Sequence, residues 1–534
     1  MDFAFPTEMS TPYPTRRSPL LAANVVATSQ PLAAQAGLTM LARGGSAVDA
    51  AIAAAITLAV VEPVSNGIGS DAFAILWDGQ TLSGLNASGR APRGWTLERF
   101  SGRDAMPLWG WDAVTVPGCV SAWQALWRRH GQLPWGTLFE PAIRYARDGF
   151  WVTPIIAEQW ADGAATQGDQ PGFAEAFLPR GRAPVAGEHF ACPAMADTLT
   201  QIADSEGEAF YRGVLAEKMV AHSQSCGGAM ALEDLAEHRC DWCDTVSLDF
   251  GEVRLHEIPP NGQGIAAPMA LGLLAHTPIQ GLDLDSVDGL HWQIEAMKLA
   301  FADVYAHVAD PAAMAIKPQE LLDEGYLKER AKLIDPKRAA APATGIPKAG
   351  GTVYLAAADA AGRMVSFIQS NYMGFGSGVV VPGTGISLQN RGAAFSLDPG
   401  HPNVVGPGKR PFHTIIPAFV TRTDGSPLMA YGVMGGPMQP QGHLQVLLRI
   451  LKGHNPQTAC EAPRWRVMEG RAVAVEPTIP GDVIQGLVAR GHDIAPPVTE
   501  RRFGFGGAQV IYRLADGGFL AGSDPRKDGQ AVGF

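Results

Sequence analysis

Hydrophobic and polar positions follow two different periods in the first part of the chain. Between residues 33 and 63, apolar residues recur at helical spacing in two stretches that a Gly-Gly pair separates. The next stretch, SDAFAILWDGQTLSGLNASG at residues 70–89, changes to strand-like runs on either side of an Asp78-Gly79 turn. These patterns predict two packed helices followed by a β-hairpin.

Helical periodicity then dominates as far as residue 335. The clearest amphipathic helix is VDGLHWQIEAMKLAFADVYAHVADP, residues 287–311, which Pro311 is expected to end. Residues 334–351, IDPKRAAAPATGIPKAGG, have no periodicity and are rich in Pro, Gly and Ala. This composition predicts a flexible tether.

The chain is rich in strand patterns after the tether. Residues 352–372, TVYLAAADAAGRMVSFIQSNY, predict two strands around Gly362, and a single helical pattern follows at 442–452. A helix-rich first part and a strand-rich last part cannot easily each form a finished domain. We therefore predict one interlocked α/β body with four layers in αββα order, in which two stacked, mainly antiparallel sheets lie between helix layers.

Composition and charge narrow the function classes. The 534 residues are 46% hydrophobic and 17% charged, which is typical of a well-packed globular protein. The net charge of −11 argues against nucleic acid as a partner. From residue 352 onward, however, 16 Lys+Arg stand against 12 Asp+Glu, so arginines are available there for an anionic ligand.

The sequence also indicates a compartment. Its start has no basic segment followed by an apolar core, and the longest apolar run of the N-terminal part, residues 50–61, is too short to span a bilayer. Six cysteines without a leader fit reduced thiols. We expect a cytoplasmic protein that has no membrane partner.

One stretch offers metal-ligand residue types. HSQSCGGAMALEDLAEHRCDWC contains His222, Cys226, His238, Cys240 and Cys243, and the last two form a Cys-x-x-Cys pair. A single such pair with irregular histidine spacing is weak evidence for zinc. We expect ordinary thiols, no metal and no cofactor.

The end of the tether, Gly350-Gly351-Thr352, admits two interpretations. A strand can simply begin there. Alternatively, the chain is cut after Gly351, and Thr352 becomes an amino terminus whose α-amine takes the proton of its own hydroxyl. A terminal amine titrates at about pH 8, which makes it a competent base near neutral pH.

Ordered segments over almost the whole chain support the second interpretation. The segments are GGSAVDAAIAAAITLAVVEP, NGIGSDAFAILWDG, GGTVYLAAADAAGRMVSF, NYMGFGSGVVVPGTGISLQN, GPGKRPFHTIIP, YGVMGGPMQPQG and AGSDPRKDG. The first two resemble the start of the larger subunit of the γ-glutamyltransferase (γ-glutamyltranspeptidase) family, and the others resemble its catalytic subunit. That family consists of N-terminal-nucleophile hydrolases.

The resemblance implies self-cleavage between Gly351 and Thr352. The products would be a large subunit, residues 1–351, and a small catalytic subunit, residues 352–534, which stay together as a heterodimer and could form a higher oligomer. The resemblance assigns Thr352 as nucleophile. It places the second, supporting hydroxyl on Ser370, and the glycine pair that stabilises the oxyanion on Gly435 and Gly436.

The pattern departs from the family where the γ-glutamyl group is held. The family arginine that grips a carboxylate falls on Ser88, with Arg90 two residues later. The acidic residue that holds the ammonium falls on Ala394, and the glutamine three positions earlier becomes Arg391. The cation binder is therefore lost and an arginine is gained, which suits a carboxylate without an ammonium.

Other pocket positions change as well. A family asparagine becomes Tyr372, and a serine pair becomes His413-Thr414. The chain between FSLDPG and GPGKRP is short, so the loop that covers the pocket in typical members is expected to be missing. The predicted substrate contacts are Arg391, Tyr372, His413, Thr414 and Arg90.

These residues predict a self-processing amide hydrolase. The preferred substrate is a small anionic amide such as oxamate, because this branch resembles the oxamate amidohydrolases of purine degradation. The resemblance leaves open a γ-glutamyltransferase or glutathione hydrolase, and a glutaryl-type acylase. An uncleaved, non-catalytic binding protein is the alternative from a different class.

Overall fold

Two antiparallel sheets lie face to face at the centre of the protein. The computed structural model describes residues 17–342, 351–495 and 502–534. The strands are β1 (Leu20–Ala22), β2 (Val25–Thr28), β3 (Asp71–Trp77), β4 (Leu82–Asn86), β5 (Phe150–Trp151), β6 (His189–Phe190), β7 (Asp241–Cys243), β8 (Val246–Phe250), β9 (Val253–Glu257), β10 (Val353–Ala358), β11 (Met364–Ser370), β12 (Val380–Val381), β13 (Ile386–Ser387), β14 (Ala418–Arg422), β15 (Pro427–Met434), β16 (Trp465–Val467), β17 (Ala472–Val475), β18 (Asp493–Ile494), β19 (Gly507–Arg513), β20 (Phe519–Ser523) and β21 (Gln530–Gly533).

Helices cover the outer faces of both sheets. The α-helices are α1 (Pro31–Ala42), α2 (Ala47–Val61), α3 (Cys119–His130), α4 (Glu140–Asp148), α5 (Pro154–Gln167), α6 (Phe173–Phe177), α7 (Pro193–Asp204), α8 (Glu208–Arg212), α9 (Val214–Ser225), α10 (Leu232–Ala236), α11 (Ala266–Ala275), α12 (Val287–His307), α13 (Pro318–Leu321), α14 (Glu324–Ala331), α15 (Met438–Leu451), α16 (Pro456–Glu461) and α17 (Gly481–Ala489). Short 3-10 helices connect several of them, and two of these, Gln263–Ile265 and Arg391–Ala394, contribute to the site described below.

The strand order shows how the chain is interlocked. The first sheet runs β1-β20-β19-β15-β14-β9-β8, and the second runs β21-β2-β10-β11-β3-β4-β7. Each sheet therefore combines strands from before and after residue 351. The strand that follows Thr352, β10, lies in the interior of the second sheet between β2 and β11.

Three apolar clusters separate the layers and confirm the four-layer αββα prediction. One fills the space between the sheets, with Tyr354 and Phe419 among its members. A second lies between the second sheet and helices that include α1, α2 and α4. The third lies between the first sheet and α11, α12 and α15. Burial on both faces explains why several strands, such as β15, are continuously apolar.

Helix α2 illustrates why these residues form these elements. Ser46 caps its first turn by accepting from the Asp49 N–H, and Asp49 Oδ2 accepts from the Ser46 N–H at 2.7 Å in return. Every residue from Ala47 to Val61 is buried, as expected for a helix that is apolar on all sides. The predicted pair of helices and the β3–β4 hairpin are both confirmed.

Two predicted helix boundaries shift. Helix α12 ends at His307, before the expected stop at Pro311, which begins a 3-10 turn instead. Helix α15 begins at Met438, one turn earlier than predicted, because Pro440 lies in its first turn, where no intrahelical N–H is required.

The first part of the predicted tether makes specific contacts. The Ala339 N–H donates to the carbonyl of Arg490 at 2.7 Å, and the Ala340 N–H donates to Glu295 Oε2 at 3.0 Å. Lys298 Nζ, which is buried and paired with Glu295, donates to the Ala340 carbonyl. Residues 343–350 of the tether lie outside the described residues. In the part of the chain that is described, no helix is both long and apolar enough to cross a membrane.

Candidate active site

Thr352 lies immediately before β10 and is 1% exposed. The preceding residue has little room for a side chain, because a Cβ on Gly351 would stand 3.3 Å from both the Cα of Ser65 and the carbonyl oxygen of Val64. The Gly351–Thr352 peptide is thus confined between the end of the α2 segment and the start of a central strand.

The hydroxyl of Ser370 connects this peptide with the Thr352 side chain. Ser370 is the last residue of β11, the neighbour of β10. Its Oγ donates to the carbonyl oxygen of Gly351 at 2.8 Å and accepts from Thr352 Oγ1 at 3.1 Å. It also accepts from the N–H of Tyr372 at 2.8 Å. The serine therefore uses its single proton on the carbonyl of the predicted scissile bond.

Tyr372 adopts a backbone conformation that is rare for an aromatic residue. Its φ is +79°, in the left-handed region, and the residue is buried. This conformation places its N–H on Ser370 and its ring 4.8 Å from the guanidinium carbon of Arg391, in a cation–π contact. Strain of this kind is typical of functional sites. Tyr372 thus joins the hydroxyl pair to the predicted arginine.

Arg391 is a fully buried cation with spare hydrogen-bond donors. It lies in the 3-10 helix Arg391–Ala394, and its Nη1 donates to Thr414 Oγ1 at 2.8 Å. Its Nε and Nη2 have no partner among the described residues. Burial lowers the pKa of Arg391 to about 10, which still leaves it charged at neutral pH. A buried guanidinium with two free nitrogens can bind an anion bidentately.

Asp71 places a carboxyl group near Arg391 without occupying those donors. It lies opposite Ser370 in the β3–β11 register. Its Oδ1 accepts from the N–H groups of Gly89 and Gly118, and its Oδ2 contacts His413 Nε2 at 3.1 Å. Burial raises the pKa of Asp71 to about 7, although the charge of Arg391 lowers it.

His413 is held as the neutral tautomer that donates to Asp71. Its Nδ1 accepts from the Ile415 N–H, so the proton is on Nε2. Burial lowers the pKa of His413 well below its usual range, and the charge of Arg391 lowers it further. The two residues of the predicted His413-Thr414 pair therefore have different contacts: His413 binds Asp71, and Thr414 binds Arg391.

The predicted oxyanion glycines form a turn between β15 and α15, which we call the oxyanion loop (residues 435–437). Gly435 and Gly436 have φ values of +127° and +60°, which glycine adopts at no steric cost. The carbonyl of Gly435 accepts from the Met438 N–H, and that of Gly436 accepts from the Gln439 N–H, both at 3.1 Å. The Gly435 carbonyl and the Gly436 N–H belong to the same peptide, and across a trans peptide these two groups point in opposite directions. Because the carbonyl points toward the Met438 N–H, the Gly436 N–H points away from it.

Arg90 lies apart from this group. Its side chain is about half exposed, pairs with Asp310 at 3.4 Å and donates to the Gly408 carbonyl at 3.1 Å. Ser88, where the family arginine was expected, is buried, and its hydroxyl donates to Asn86 Oδ1. The structure thus connects Thr352, Ser370, Tyr372, Arg391, Thr414 and His413 through shared neighbours, while no hydrogen bond of Arg90 reaches any of them.

The metal-ligand types singled out in the sequence have different neighbours, except for His238 and Cys240, which share one. His222 packs edge-on against Trp111, and Cys226 is exposed. His238 and Cys240 both contact the hydroxyl of Ser121, at 2.9 and 3.0 Å. Cys243 lies beside Gly84.

Another group of ligand types converges elsewhere. Within the described residues, His291, Glu295 and His492 are close enough together to hold a metal ion. The two rings bond each other at 2.8 Å, and Lys298 already pairs with Glu295. This group forms a hydrogen-bonded network, whose lysine would compete with a cation.

Sequence reasoning missed two residues of the site. Asp71 could have been noticed as a charged residue at the start of an apolar strand, DAFAILW. Gln263 carried no comparable signal, because its partners are backbone carbonyls far away in sequence. Its Nε2 donates to the carbonyls of Thr414, at 2.6 Å, and Gly436, at 2.9 Å.

A four-layer αββα body with a threonine at the head of an interior strand defines the class of N-terminal-nucleophile hydrolases. Comparisons with known proteins support this class. The family profile described as Gamma-glutamyltranspeptidase matches residues 33–534. The chain belongs to the γ-glutamyltranspeptidase family and is an enzyme of the N-terminal-nucleophile hydrolase class.

Individual relatives cover nearly the whole chain. It is 39% identical to the glutathione hydrolase-like YwrD proenzyme of Bacillus subtilis, over 94% of this chain and 97% of that one. It is 37% identical to the oxamate amidohydrolase proenzyme of Klebsiella pneumoniae, with the same coverage. The crystal structure of cephalosporin acylase from Bacillus halodurans is similar with a TM-score of 0.94, 48% identity and 99% coverage of both chains.

Proposed function

We propose that this protein cuts itself between Gly351 and Thr352 and then acts as an amide hydrolase through the new N-terminal threonine. The observation that carries the proposal is the position of Ser370, whose hydroxyl contacts both the Gly351 carbonyl and the Thr352 hydroxyl. The relatives from Bacillus subtilis and Klebsiella pneumoniae are both named as proenzymes, which supports the proposal. The products would be residues 1–351 and 352–534.

Self-cleavage begins with attack of Thr352 Oγ1 on the carbonyl carbon of Gly351. The Ser370 hydroxyl stabilises the negative charge that develops on the carbonyl oxygen. The peptide nitrogen takes up the proton that Oγ1 loses and leaves as the α-amine of Thr352, and the Gly351 acyl group becomes an ester on Oγ1. Water then hydrolyses the ester, which gives a carboxylate on Gly351 and a free N-terminal threonine.

Turnover repeats the same chemistry on a substrate. The α-amine of Thr352 accepts the hydroxyl proton while Oγ1 attacks the substrate amide. The N–H groups of Gly435 and Gly436 hold the oxyanion, and the proton passes to the departing amine or ammonia. Water releases the acid from the ester. These steps need no metal and no cofactor, and we expect hydrolysis to exceed transfer to another amine.

Arg391 suggests the substrate class. Two guanidinium nitrogens of a buried cation lack partners among the described residues, whereas Ala394 offers no carboxylate for a substrate ammonium. A small anionic amide with a carboxylate and no ammonium therefore fits best. We propose oxamate, which would give oxalate and ammonia as in purine degradation; the similarity to an oxamate amidohydrolase proenzyme supports this choice.

Two other substrates have specific support. The similarity to a glutathione hydrolase-like proenzyme favours a γ-glutamyl amide. The similarity to the cephalosporin acylase structure, with a TM-score of 0.94, favours a glutaryl-type acyl group. Both acyl groups carry a carboxylate that Arg391 could bind, but only the γ-glutamyl group carries an ammonium.

A three-substrate comparison tests the proposal. Ammonia release from oxamate is measured beside aniline release from γ-glutamyl and glutaryl anilides, with equal amounts of cleaved enzyme. We expect the highest kcat/KM with oxamate. Faster turnover of either anilide would overturn oxamate as the substrate, and no turnover of any of the three would overturn the hydrolase itself.

We also propose that the enzyme acts in the cytoplasm. All six cysteines are free thiols, and Cys226 is exposed, which suits a reducing compartment.

A further inference from the structure

Gln263 connects two parts of the proposed active site that are far apart in sequence. It is completely buried and begins the 3-10 helix Gln263–Ile265. Its Nε2 donates to the carbonyls of Thr414 and Gly436, at 2.6 and 2.9 Å. We propose that Gln263 is a positioning residue, which fixes the oxyanion loop relative to the segment that contacts Arg391. This inference rests on the proposed function.

The oxyanion loop needs such a constraint. Two adjacent glycines, both with positive φ, have more backbone freedom than other residues. The Gly436 carbonyl accepts both from Gln263 Nε2 and from the Gln439 N–H, so its orientation is fixed from two sides. Oxyanion donors accelerate a reaction only if they are held in place before the charge develops.

The other end of the connection reaches the anion-binding side. Thr414 Oγ1 accepts from Arg391, and its carbonyl accepts from Gln263. The Gln263 N–H also donates to the carbonyl of His413 at 2.8 Å. Gln263 would therefore set the distance between the Arg391 guanidinium and the oxyanion loop. A substrate whose carboxylate binds Arg391 has to span that distance.

The side-chain oxygen of Gln263 supports a role for its nitrogen. Oε1 is buried and has no hydrogen-bond partner among the described residues. An unpartnered buried oxygen costs stability, so an apolar side chain of similar length would be the better choice for packing alone. The two bonds made by Nε2 explain why an amide is present.

Replacement of Gln263 by methionine tests the proposal. This change keeps the length of the side chain and removes both hydrogen bonds. The matched control is Gln293→Met in α12, which is also buried and whose Nε2 donates to the carbonyls of Leu284 and Gly289 at 3.0 and 2.9 Å. Both variants are compared in thermal midpoint, kcat and KM, with the amide that the unaltered enzyme hydrolyses fastest.

We expect both variants to lose similar stability. Only Gln263→Met should lose kcat, by about 10- to 100-fold, because a small displacement of catalytic groups is costly. Its KM should change less than its kcat. Self-cleavage should remain close to normal, because the Gly351 carbonyl is held by Ser370 and not by the oxyanion loop. If Gln263→Met does not fold, Gln263→Asn, which withdraws Nε2 by one methylene, should show the same loss.

Two results would overturn the proposal. One is a kcat for Gln263→Met within twofold of the unaltered enzyme, and the other is an equal loss of kcat in Gln293→Met. Either result would leave the proposed hydrolase intact. If the unaltered enzyme hydrolyses none of the three amides, the proposed function and the role of Gln263 fail together.

Discussion

The hydroxyl of Ser370 donates to the carbonyl oxygen of Gly351 at 2.8 Å. Ser370 Oγ also accepts from Thr352 Oγ1, so one serine contacts both reacting groups of the proposed cleavage. A carbonyl that already has a donor in place is prepared for the charge that attack would create. In the uncut chain, the Gly351 carbonyl and the Thr352 hydroxyl are therefore both hydrogen-bonded to the side chain of Ser370.

The first prediction concerns the nucleophile. Thr352→Ala lacks the attacking hydroxyl and should remain a single full-length chain, whereas Thr352→Ser should cleave. Denaturing gels of freshly purified and long-incubated protein measure this directly, and Edman degradation of the smaller product should yield Thr-Val-Tyr-Leu. Normal cleavage of Thr352→Ala would rule out Thr352. Unaltered protein that never cleaves would support the non-catalytic binding protein.

The second prediction concerns Ser370. Ser370→Ala removes the donor to the scissile carbonyl and should slow self-cleavage by about 10²-fold, the usual cost of losing one oxyanion donor. Ser370→Thr, which restores a hydroxyl, should cleave at a rate close to normal. The time course of cleavage after rapid purification measures both.

A control for Ser370 exists on the same strand. Ser366 is also buried in β11, and its hydroxyl bonds Tyr354 at 2.8 Å, away from the scissile peptide. Ser366→Ala should cleave like the unaltered chain. Equal slowing in both alanine variants would mean that Ser370 acts through general stability.

The third prediction concerns Arg391. Arg391→Lys keeps a positive charge but loses the planar fork, so KM for a carboxylate-bearing amide should rise at least about tenfold while self-cleavage continues. Steady-state kinetics on cleaved protein measure the change. Arg449, whose buried guanidinium pairs with Asp285, provides a control, since Arg449→Lys should leave KM unaltered. An unchanged KM in Arg391→Lys would contradict carboxylate binding at this residue.

The fourth prediction concerns the pH dependence of stability. The pKa of Asp71 is raised from 3.8 to about 7 in the folded protein, so the folded state binds more protons than the unfolded state between about pH 4 and pH 7. The contribution of this carboxyl to the free energy of unfolding must therefore fall as pH rises through that window. Above pH 7 both states are ionised, and its contribution no longer changes.

Asp71→Asn isolates this contribution because it removes the titrating group and keeps its shape. The thermal midpoint of the variant minus that of the unaltered protein should become more positive between pH 5 and pH 8. Thermal unfolding of both proteins at four pH values, each in the uncut Thr352→Ala background, measures the difference. A difference that is constant or falls with pH would contradict the raised pKa.

Much of the fold could be predicted because its signals are local. The Gly44-Gly45 turn between two helices and the Asp78-Gly79 turn of the hairpin are readable within a few residues, and both occur as expected. Boundaries were less accurate. The predicted start of α15, residue 442, is too late, because Pro440 is tolerated in the first turn of a helix that begins at Met438.

The site could be predicted only in part, because many of its contacts join residues that are far apart in sequence. Family resemblance indicated Thr352, Ser370 and Arg391, whose side chains the fold links through Tyr372. Asp71 and Gln263 act through partners at large sequence separation, which strand register and loop packing decide. Arg90, which lies two residues from a family position, pairs with Asp310, and its role in substrate binding stays a prediction.

The alternation of strands from both sides of residue 351 has a consequence for the lifetime of the enzyme. Strands β10 and β11 lie between β2 and β3, and β20 lies between β1 and β19. Neither fragment could rebuild a sheet without threading its strands between those of the other. The uncut polypeptide would thus be the template on which the sandwich is assembled, and the proposed scission would remove that template. A molecule that unfolds after scission should not refold, so the lifetime of the enzyme would be set by its rate of unfolding.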